Sequence, residues 1–437
     1  MLVKSIKQHL SLLPIFVFLV IFLGSGIYFS LKGVDYAFYQ VSPSIAILPA
    51  LLLGIMVNEG SLESRLTAMI DGMRDKDIMT MCLIFLLAGA FGCVTESVGC
   101  VHDSVQFALD YLPDYALLPG IFLIAAFIST AIGTSMGVVA AITPVAVGFA
   151  HSAGLSLPMA VGAVMSGAMF GDNLSLISDT TIAAVNTQGA SLQEKFKLNA
   201  KIALATGIIT FFIYLFFSEA KTAIEVGDYS LLKVFPYVAI VVLAMTGMNV
   251  FTVLTLGILL AGAIGFFGGD YTVLGYSKDI AKGFTSMQDI LVLSLLVGGM
   301  GGLLRSRRGL EALIDKIGAY LHRKVETKGR RRAEVLICGI AAFNDICIAN
   351  NTIAIILAGD SVKKIAKDYE IPPHRAACWV DIFTCVFQGL IPYGAQALLA
   401  SSMSGVAPTS ICLNAFYCVA LGIVTLVVIF FKRPVMT

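Results

Sequence analysis

The chain has 437 residues, 58% of them hydrophobic and only 13% charged, with 29 Lys and Arg against 28 Asp and Glu for a net charge of +1. Soluble domains carry about 25% charged residues, and a mean hydropathy of +0.89 would leave most of the apolar excess facing water, which excludes soluble fold classes. A helical span takes about 20 apolar residues, and the runs here are long and unbroken rather than short and alternating as in a barrel, so the fold class is an all-α polytopic membrane protein.

The first apolar run, from Leu10 to Leu31, follows Lys4, Lys7 and His9. It is too long for the apolar part of a signal peptide and no small-residue cleavage site follows it, so an uncleaved first span is expected. Further runs fall at 43–57, 78–99, 116–132, 138–150, 158–171, 202–217, 231–248, 250–268, 290–304, 335–358, 377–392 and 409–431. Amphipathic connectors lie at 59–77, 100–114, 191–201 and 361–370, and several runs are too short or too interrupted to be simple spans. The nine cysteines lie mostly inside apolar runs, without a C-x-x-C pair or a metal-ligand spacing, and read as small buried hydrophobes.

Charge is distributed unevenly. No Lys or Arg occurs between Lys76 and Lys195, and the 100–114 connector carries Asp103, Asp110 and Asp114, whereas 305–334 is dense in basic residues from Arg305 to Arg332. Basic loops stay on the cytoplasmic side, which places 305–334 inside and 100–114 outside. The Gly329-Arg330-Arg331-Arg332 run is then a topology signal, and no nucleic-acid partner is expected.

The two halves are alike. Leu87-Ala88-Gly89-Ala90-Phe91-Gly92 matches Leu296-Val297-Gly298-Gly299-Met300-Gly301 in size and spacing. In each half a glycine-rich span leads to a connector, a broken polar span, and a helix opened by proline (Pro158; Pro372 and Pro373) that ends in a second polar break. The matching connectors have opposite charge, so the halves are expected in opposite orientation. This divides the chain into N-terminal spans and a connector at 1–76, a first repeat at 77–220, linking spans at 221–288 and a second repeat at 289–437. Inverted repeats with broken helices and re-entrant hairpins mark secondary transporters, with the site near the midplane; a channel or membrane enzyme does not need that symmetry.

Polar residues inside apolar runs mark the candidate site. In the first half, Thr134 and Ser135 lie between glycines, and Asp172, Asn173, Ser175, Ser178, Asp179 and Thr180 crowd together after Gly171. A charge at the bilayer centre costs at least about 2.5–3.5 kcal/mol, so Asp172 and Asp179, with no basic neighbour in sequence, call for a cation or proton to offset them. Hard oxygen donors suit Na⁺ as they suit other hard cations. In the second half, Asn344, Asp345, Asn350, Asn351 and Thr352 fall in one apolar run, followed by Asp381 and then by Gln388, Tyr393 and Gln396 at the second break. Amides donate and accept, so these residues, with Asp381, are expected to complete the site around a bound solute. Arg375 lies six residues before Asp381, on a different helix face. No H-E-x-x-H, G-x-S-x-G or P-loop occurs, and Gly298 to Gly302 reads as helix packing; no enzyme activity and no cofactor beyond Na⁺ or H⁺ are expected.

Gly133-Thr134-Ser135-Met136-Gly137, with Gly171-Asp172-Asn173-Leu174-Ser175 and Ser178-Asp179-Thr180-Thr181, resembles the NhaC-type sodium/proton antiporter family, over about residues 45 to 430. The resemblance implies an inverted-repeat ion-transporter fold, usually a homodimer, with ion-coordinating roles for Asp172, Ser175, Asp179 and Thr180 and with Thr134 and Ser135 nearby. Where many members have Gly-Asp-Lys-Met-Ser-Pro, this chain has Gly-Asp-Asn-Leu-Ser-Leu, which removes a lysine beside Asp172. The expected protein is a multi-pass transporter of the bacterial inner (cytoplasmic) membrane, embedded in lipid and coupled to Na⁺ or H⁺. Na⁺/H⁺ antiport is the leading expectation, and a Na⁺- or H⁺-coupled carrier of amino acids or organic acids is the alternative.

Overall fold

The structure, a computed structural model, describes residues 13–32, 34, 40–111, 113–176, 178–218, 227–246, 248–269, 271–306 and 329–431. The basic loop residues 307–328, Lys4 to His9 and Lys432-Arg433 lie outside the described residues. Among the described residues the regular structure is entirely helical. In a bilayer a helix satisfies its own backbone groups, so apolar length alone is enough to make these runs helices.

α1 (Leu13–Leu31) and α2 (Pro43–Val57) pair, and the amphipathic α3 (Leu62–Met73) lies against α14 (Gln288–Ser306), as α2 also does. α4 (Lys76–Val98) and α5 (Cys100–Tyr111) precede a first group of four helices: α6 (Leu117–Ile132), α7 (Ser135–Ala153), α8 (Leu157–Leu174) and α9 (Asp179–Gln188). The long α10 (Leu192–Phe217) follows, then α11 (Leu231–Met245), α12 (Val250–Gly268) and α13 (Val273–Ser286). A second group of four comprises α15 (Arg330–Ile348), α16 (Asn351–Asp368), α17 (Pro373–Leu390) and α18 (Ala395–Ser404), and α19 (Pro408–Leu413) and α20 (Phe416–Phe431) close the described chain.

Seven helical segments among the described residues are long and apolar enough to cross a membrane, with Leu157–Gln188 and Pro373–Ser404 each running through a break. The chain is an all-helical, multi-span membrane protein. Large apolar side chains such as Phe212, Phe216, Phe267 and Phe431 are exposed on its surface, as a lipid-facing wall requires. Inside, small residues bring backbones together, as expected in membranes: Gly72 meets Gly298 and Gly302, and Gly89 meets Gly283. Gly298, Gly299 and Gly302 therefore serve helix packing, while Gly301 faces open space.

The two groups of four break in the same way. Gly133 (φ 77°, ψ 22°) and Thr134 (φ −146°, ψ 126°) separate α6 from α7; Ala349 (φ 52°, ψ 32°) and Asn350 (φ −146°, ψ 109°) separate α15 from α16. A left-handed residue followed by an extended one thus makes both breaks. The later breaks, Ser175 to Ser178 and Ile391 to Gly394, both open with an extended residue whose N–H returns to the carbonyl four residues back, at 2.8 and 2.9 Å. α9 packs along α16 and α18 along α7, so the half-helix that ends each group docks on the hairpin of the other. The sequence places the second-half interruption anywhere in 344–352; Asn344 and Asp345 are in fact helical, and the break itself is the pair 349–350.

Charged groups gather in two places, both of mixed sign, since Lys233 Nζ lies beside Gly99 near Asp103. One carries Asp75 with Arg305 (3.4 Å), Glu194 with His374 (3.4 Å) and Glu334 with Arg375 (2.9 Å). At the other, α5 meets residues 227–230: Ser230 N–H donates to Asp103 Oδ2 (3.0 Å) and Tyr229 OH to Asp110 Oδ2 (2.8 Å).

Candidate functional site

Three of the four breaks, and the first turn of the helix that follows the fourth, line one cleft of about 90 Å³. Gly133 to Met136 line it from the first break, Asp172 and Ser178 to Thr180 from the second, Asn350 to Thr352 from the third and Gln396 from beyond the fourth. Asp77 and Thr80 of α4 complete the wall.

Asp172 is the buried carboxylate of this cleft, only 6% exposed. It sits in the last turn of α8, where the unsatisfied carbonyls of a helix C-terminus favour a cation. Ser135 Oγ, in the first turn of α7, donates to Asp172 Oδ2 at 2.8 Å, and Ser178 Oγ, at the start of α9, donates to Oδ1 at 2.7 Å. Ser178 Oγ also lies 2.9 Å from Thr180 Oγ1. From the other side Gln396 Nε2 donates to Ser135 Oγ (3.0 Å), and Gln388 Nε2 donates to Gln396 Oε1 (2.7 Å) and to the Ala349 carbonyl (3.4 Å). A continuous hydrogen-bonded chain therefore runs from the break at Ala349 to the carboxylate of Asp172.

Asp179, in the first turn of α9, is exposed at the cleft wall, where the positive end of the helix dipole suits it. Thr134, Ser135, Ser178 and Thr180 line the cleft with it, and so do Asn350, Asn351 and Thr352. Asn350 Oδ1 also caps α16 by accepting from Ile353 N–H (3.0 Å).

Other candidates point elsewhere. Asn173 Nδ2 donates to Tyr417 OH (3.1 Å), while Asn199 Nδ2 donates to the Asn173 carbonyl (2.5 Å) and to its Oδ1 (3.2 Å). Ser175 is buried and does not line the cleft. Asn344 donates to the Ala354 carbonyl (3.3 Å), Tyr393 OH to the Ile346 carbonyl (2.7 Å), and Gln388 reaches the cleft only through Gln396. Asp345 is fully buried and lies off the cleft.

One expectation is corrected outright. No base was expected near 172–181, yet Lys195 Nζ, 1% exposed, donates to Thr181 Oγ1 at 2.8 Å and to Asp381 Oδ2 at 2.5 Å. The chain reverses at Gly189, so the first turn of α10 comes back beside α9 and its lysine reaches the core. Asp381 is consequently ion-paired rather than solute-facing, and Arg375 instead forks onto Glu334 at 2.9 and 3.0 Å. Asp77 and Thr80 were missed as cleft residues, and Lys195 and Asn199 as the partners of Asp381 and Asn173, because they lie in or beside segments that read as connectors and ordinary spans. Asp77 alone offered a signal, a carboxylate on the edge of a long apolar run.

No group of three or more His, Cys, Asp or Glu able to hold a metal occurs among the described residues. The cleft is lined by three carboxylates, Asp77, Asp172 and Asp179, together with hydroxyls and amides, hard donors of the kind that suit a hard cation or a proton.

Gly171 controls the approach of Asp172. A Cβ there would collide with Ser129 and the backbone of Thr130, so Gly171→Ala must push α6 from α8. The expected result is a lower melting temperature in detergent, by a destabilisation of about 1–3 kcal/mol. A variant as stable as wild type would show that these helices have room to part.

The Na⁺/H⁺ antiporter family model matches residues 4–218. The Na(+)/H(+) antiporter NhaC of Bacillus subtilis (strain 168) is 24% identical over 374 residues, which cover 77% of this chain and 80% of that protein. The malate-2H(+)/Na(+)-lactate antiporter of the same organism is 24% identical over 401 residues, covering 83% of this chain and 82% of that protein. Among solved structures, the YdaH transporter of Alcanivorax borkumensis aligns with a TM-score of 0.46 at 14% identity, covering 84% of this chain and 88% of that one.

Proposed function

Because this chain belongs to the NhaC-type Na⁺/H⁺ antiporter family, a family of secondary transporters and not of enzymes, we propose that it exchanges Na⁺ for protons at Asp172. The carrying observation is a carboxylate buried at the end of a broken helix, held by two hydroxyls and open to a cleft lined by three of the breaks and by Gln396 beyond the fourth. A carboxylate in that position binds one positive charge well and two poorly, so Na⁺ and a proton compete for it. The hydroxyls of Ser135, Ser178 and Thr180 can turn their lone pairs to a cation, or remain donors when the site is empty. A cleft of about 90 Å³ takes an ion with several waters, each needing about 10–15 Å³ on the same measure.

The repeated break geometry supports an inverted repeat spanning 77–220 and 289–437. In that register Gln388 stands in the second half where Asp172 stands in the first, Gln396 where Thr180 stands, and Asn350 where Thr134 stands. One half is thus carboxylate and hydroxyl, the other amide. The side on which the basic 305–334 segment begins is the cytoplasmic one by the charge rule, which makes the membrane the cytoplasmic membrane and the cleft, with Asp77 at its wall, cytoplasm-facing. Single cysteines replacing Asp110 and Lys367 in a cysteine-free background test this orientation. An impermeant reagent added outside is expected to label position 110 and spare 367; the opposite pattern reverses the orientation.

A second reading is a Na⁺-coupled organic-acid or amino-acid carrier, favoured by the amides of Asn350, Asn351 and Gln396 on the cleft wall. Purified protein in liposomes separates the two. With an internal pH dye, an external Na⁺ pulse is expected to drive protons out and raise the lumenal pH. Competition at one carboxylate makes apparent Na⁺ affinity fall as pH falls, approaching tenfold per pH unit once the proton-bound form dominates. A Na⁺ pulse that moves no protons, combined with accumulation of labelled malate, lactate or an amino acid under a Na⁺ gradient, would decide for the second reading.

A further inference from the structure

We propose that Asp345 is a second proton-carrying group of the transport cycle, separate from the cation site; this rests on the Na⁺/H⁺ exchange reading. Asp345 lies in the last turn of α15, four residues before the left-handed Ala349, and is 0% exposed with neither carboxylate oxygen hydrogen-bonded. Every other buried carboxylate among the described residues is provided for: Asp172 by two hydroxyls, Asp381 by Lys195, Glu334 by Arg375 and Asp103 by Ser230 N–H.

Among the described residues, the groups facing Asp345 carry no charge that could offset an ionised form. Its titratable neighbours are Cys347 on its own helix, Cys385 on α17 and Tyr393 in the break after α17. The other helices packed on α15, namely α14, α16 and α20, bring no charged side chain to it. Taking a bare carboxylate out of water with no partner is far costlier than burying a neutral carboxyl. In this conformation the side chain therefore holds a proton.

The hairpin tip provides a way for that proton to leave. Ala349 is held left-handed (φ 52°), a conformation that costs an alanine energy and a glycine none. The tip is tied down by Tyr393 OH on the Ile346 carbonyl and Gln388 Nε2 on the Ala349 carbonyl. Water-sized space flanks it: the cleft reaches Asn350, and a separate pocket of about 10 Å³ is bounded by Ile348, Asn350 and Arg305, room for about one water. When the tip shifts in the alternate conformation and Asp345 is hydrated, its O–H bond breaks and the proton passes to water, leaving the carboxylate. The carboxylate returns hydrated in the Na⁺-loaded stroke and takes a proton from cytoplasmic water before the tip reseals, so release and reloading fall on opposite sides of the membrane. Asp172 alone exchanges one Na⁺ for one proton and moves no net charge. With a proton on Asp345 in the same stroke, the cycle exchanges two protons for one Na⁺ and moves one net charge.

The test is the voltage dependence of Na⁺ accumulation in liposomes holding the full chain, with the membrane potential clamped by a K⁺ gradient and valinomycin. One net charge per cycle predicts that the equilibrium Na⁺ ratio changes about fifty-fold per 100 mV. Asp345→Asn and Asp345→Ser, either of which must elute as folded protein, are expected to keep Na⁺/H⁺ exchange and lose that voltage response. A wild-type protein that exchanges Na⁺ for protons without responding to voltage overturns the proposal whatever the variants do, and so does a folded variant with the full wild-type response. Wild-type liposomes that move no protons with Na⁺ at any voltage overturn the exchange reading itself, and this proposal with it.

Discussion

Asp172→Asn is expected to abolish Na⁺-driven proton movement while the protein still elutes as a folded species. The amide keeps the shape of the side chain but carries no charge and cannot exchange a proton. Opposite unit charges about 4 Å apart attract by about 4 kcal/mol at the effective dielectric of a protein site; losing most of that lowers Na⁺ affinity by roughly a hundredfold or more. The measurement is the pH-dye response to a Na⁺ pulse, with Na⁺ binding followed by calorimetry. Asp179→Asn is the control. That carboxylate is exposed at the cleft wall, where water already solvates it, so a loss of a few-fold is expected. Undiminished exchange in Asp172→Asn, or a larger loss in Asp179→Asn, would move the ion site to the exposed carboxylate.

Lys195→Met is expected to destabilise the protein by about 3–5 kcal/mol, because it leaves Asp381 as an uncompensated buried charge. Lys195 and Asp381 are 2% and 0% exposed as side chains and join at 2.5 Å, so water cannot take over either partner. The double variant Lys195→Met with Asp381→Leu removes both charges together and is expected to regain most of the loss, since replacing a complete buried pair by apolar groups is often neutral. Melting temperature in detergent reads both effects. A double variant no more stable than the single one would mean that the cost lies in packing around α10 and α17 rather than in the stranded charge. The pair also ties the first turn of α10 to the middle of α17, which makes it a bond between the two halves.

Reading order along the chain recovers some of this arrangement and misses the rest for a physical reason. The expected run 250–268 is α12 to the residue, and 43–57 is α2, because in lipid a continuous apolar stretch has no alternative to a helix. The first breaks were legible as glycine and hydroxyl residues in an apolar run, since Gly133 supplies the left-handed turn. The matching break at Ala349 was legible only through the amides after it, because alanine gives no sign of a left-handed conformation.

Class, helical spans and the approximate break positions follow from the sequence by itself, because each depends on transfer from water to lipid and on local backbone preference. Which carboxylate faces inward, which lysine answers Asp381, and which of the second-half amides reach the cleft were decided only by the tertiary structure. Asp172 and Asp179 are seven residues apart and look equivalent in a row of letters, yet one ends a helix and the other begins the next on the far side of a break, so one is buried and the other wet. Lys195 is 186 positions from Asp381, and nothing local to either residue requires the pairing. It arises because the turn at Gly189 folds α10 back against α17, and in that dry interior each charge is tolerated only beside the other.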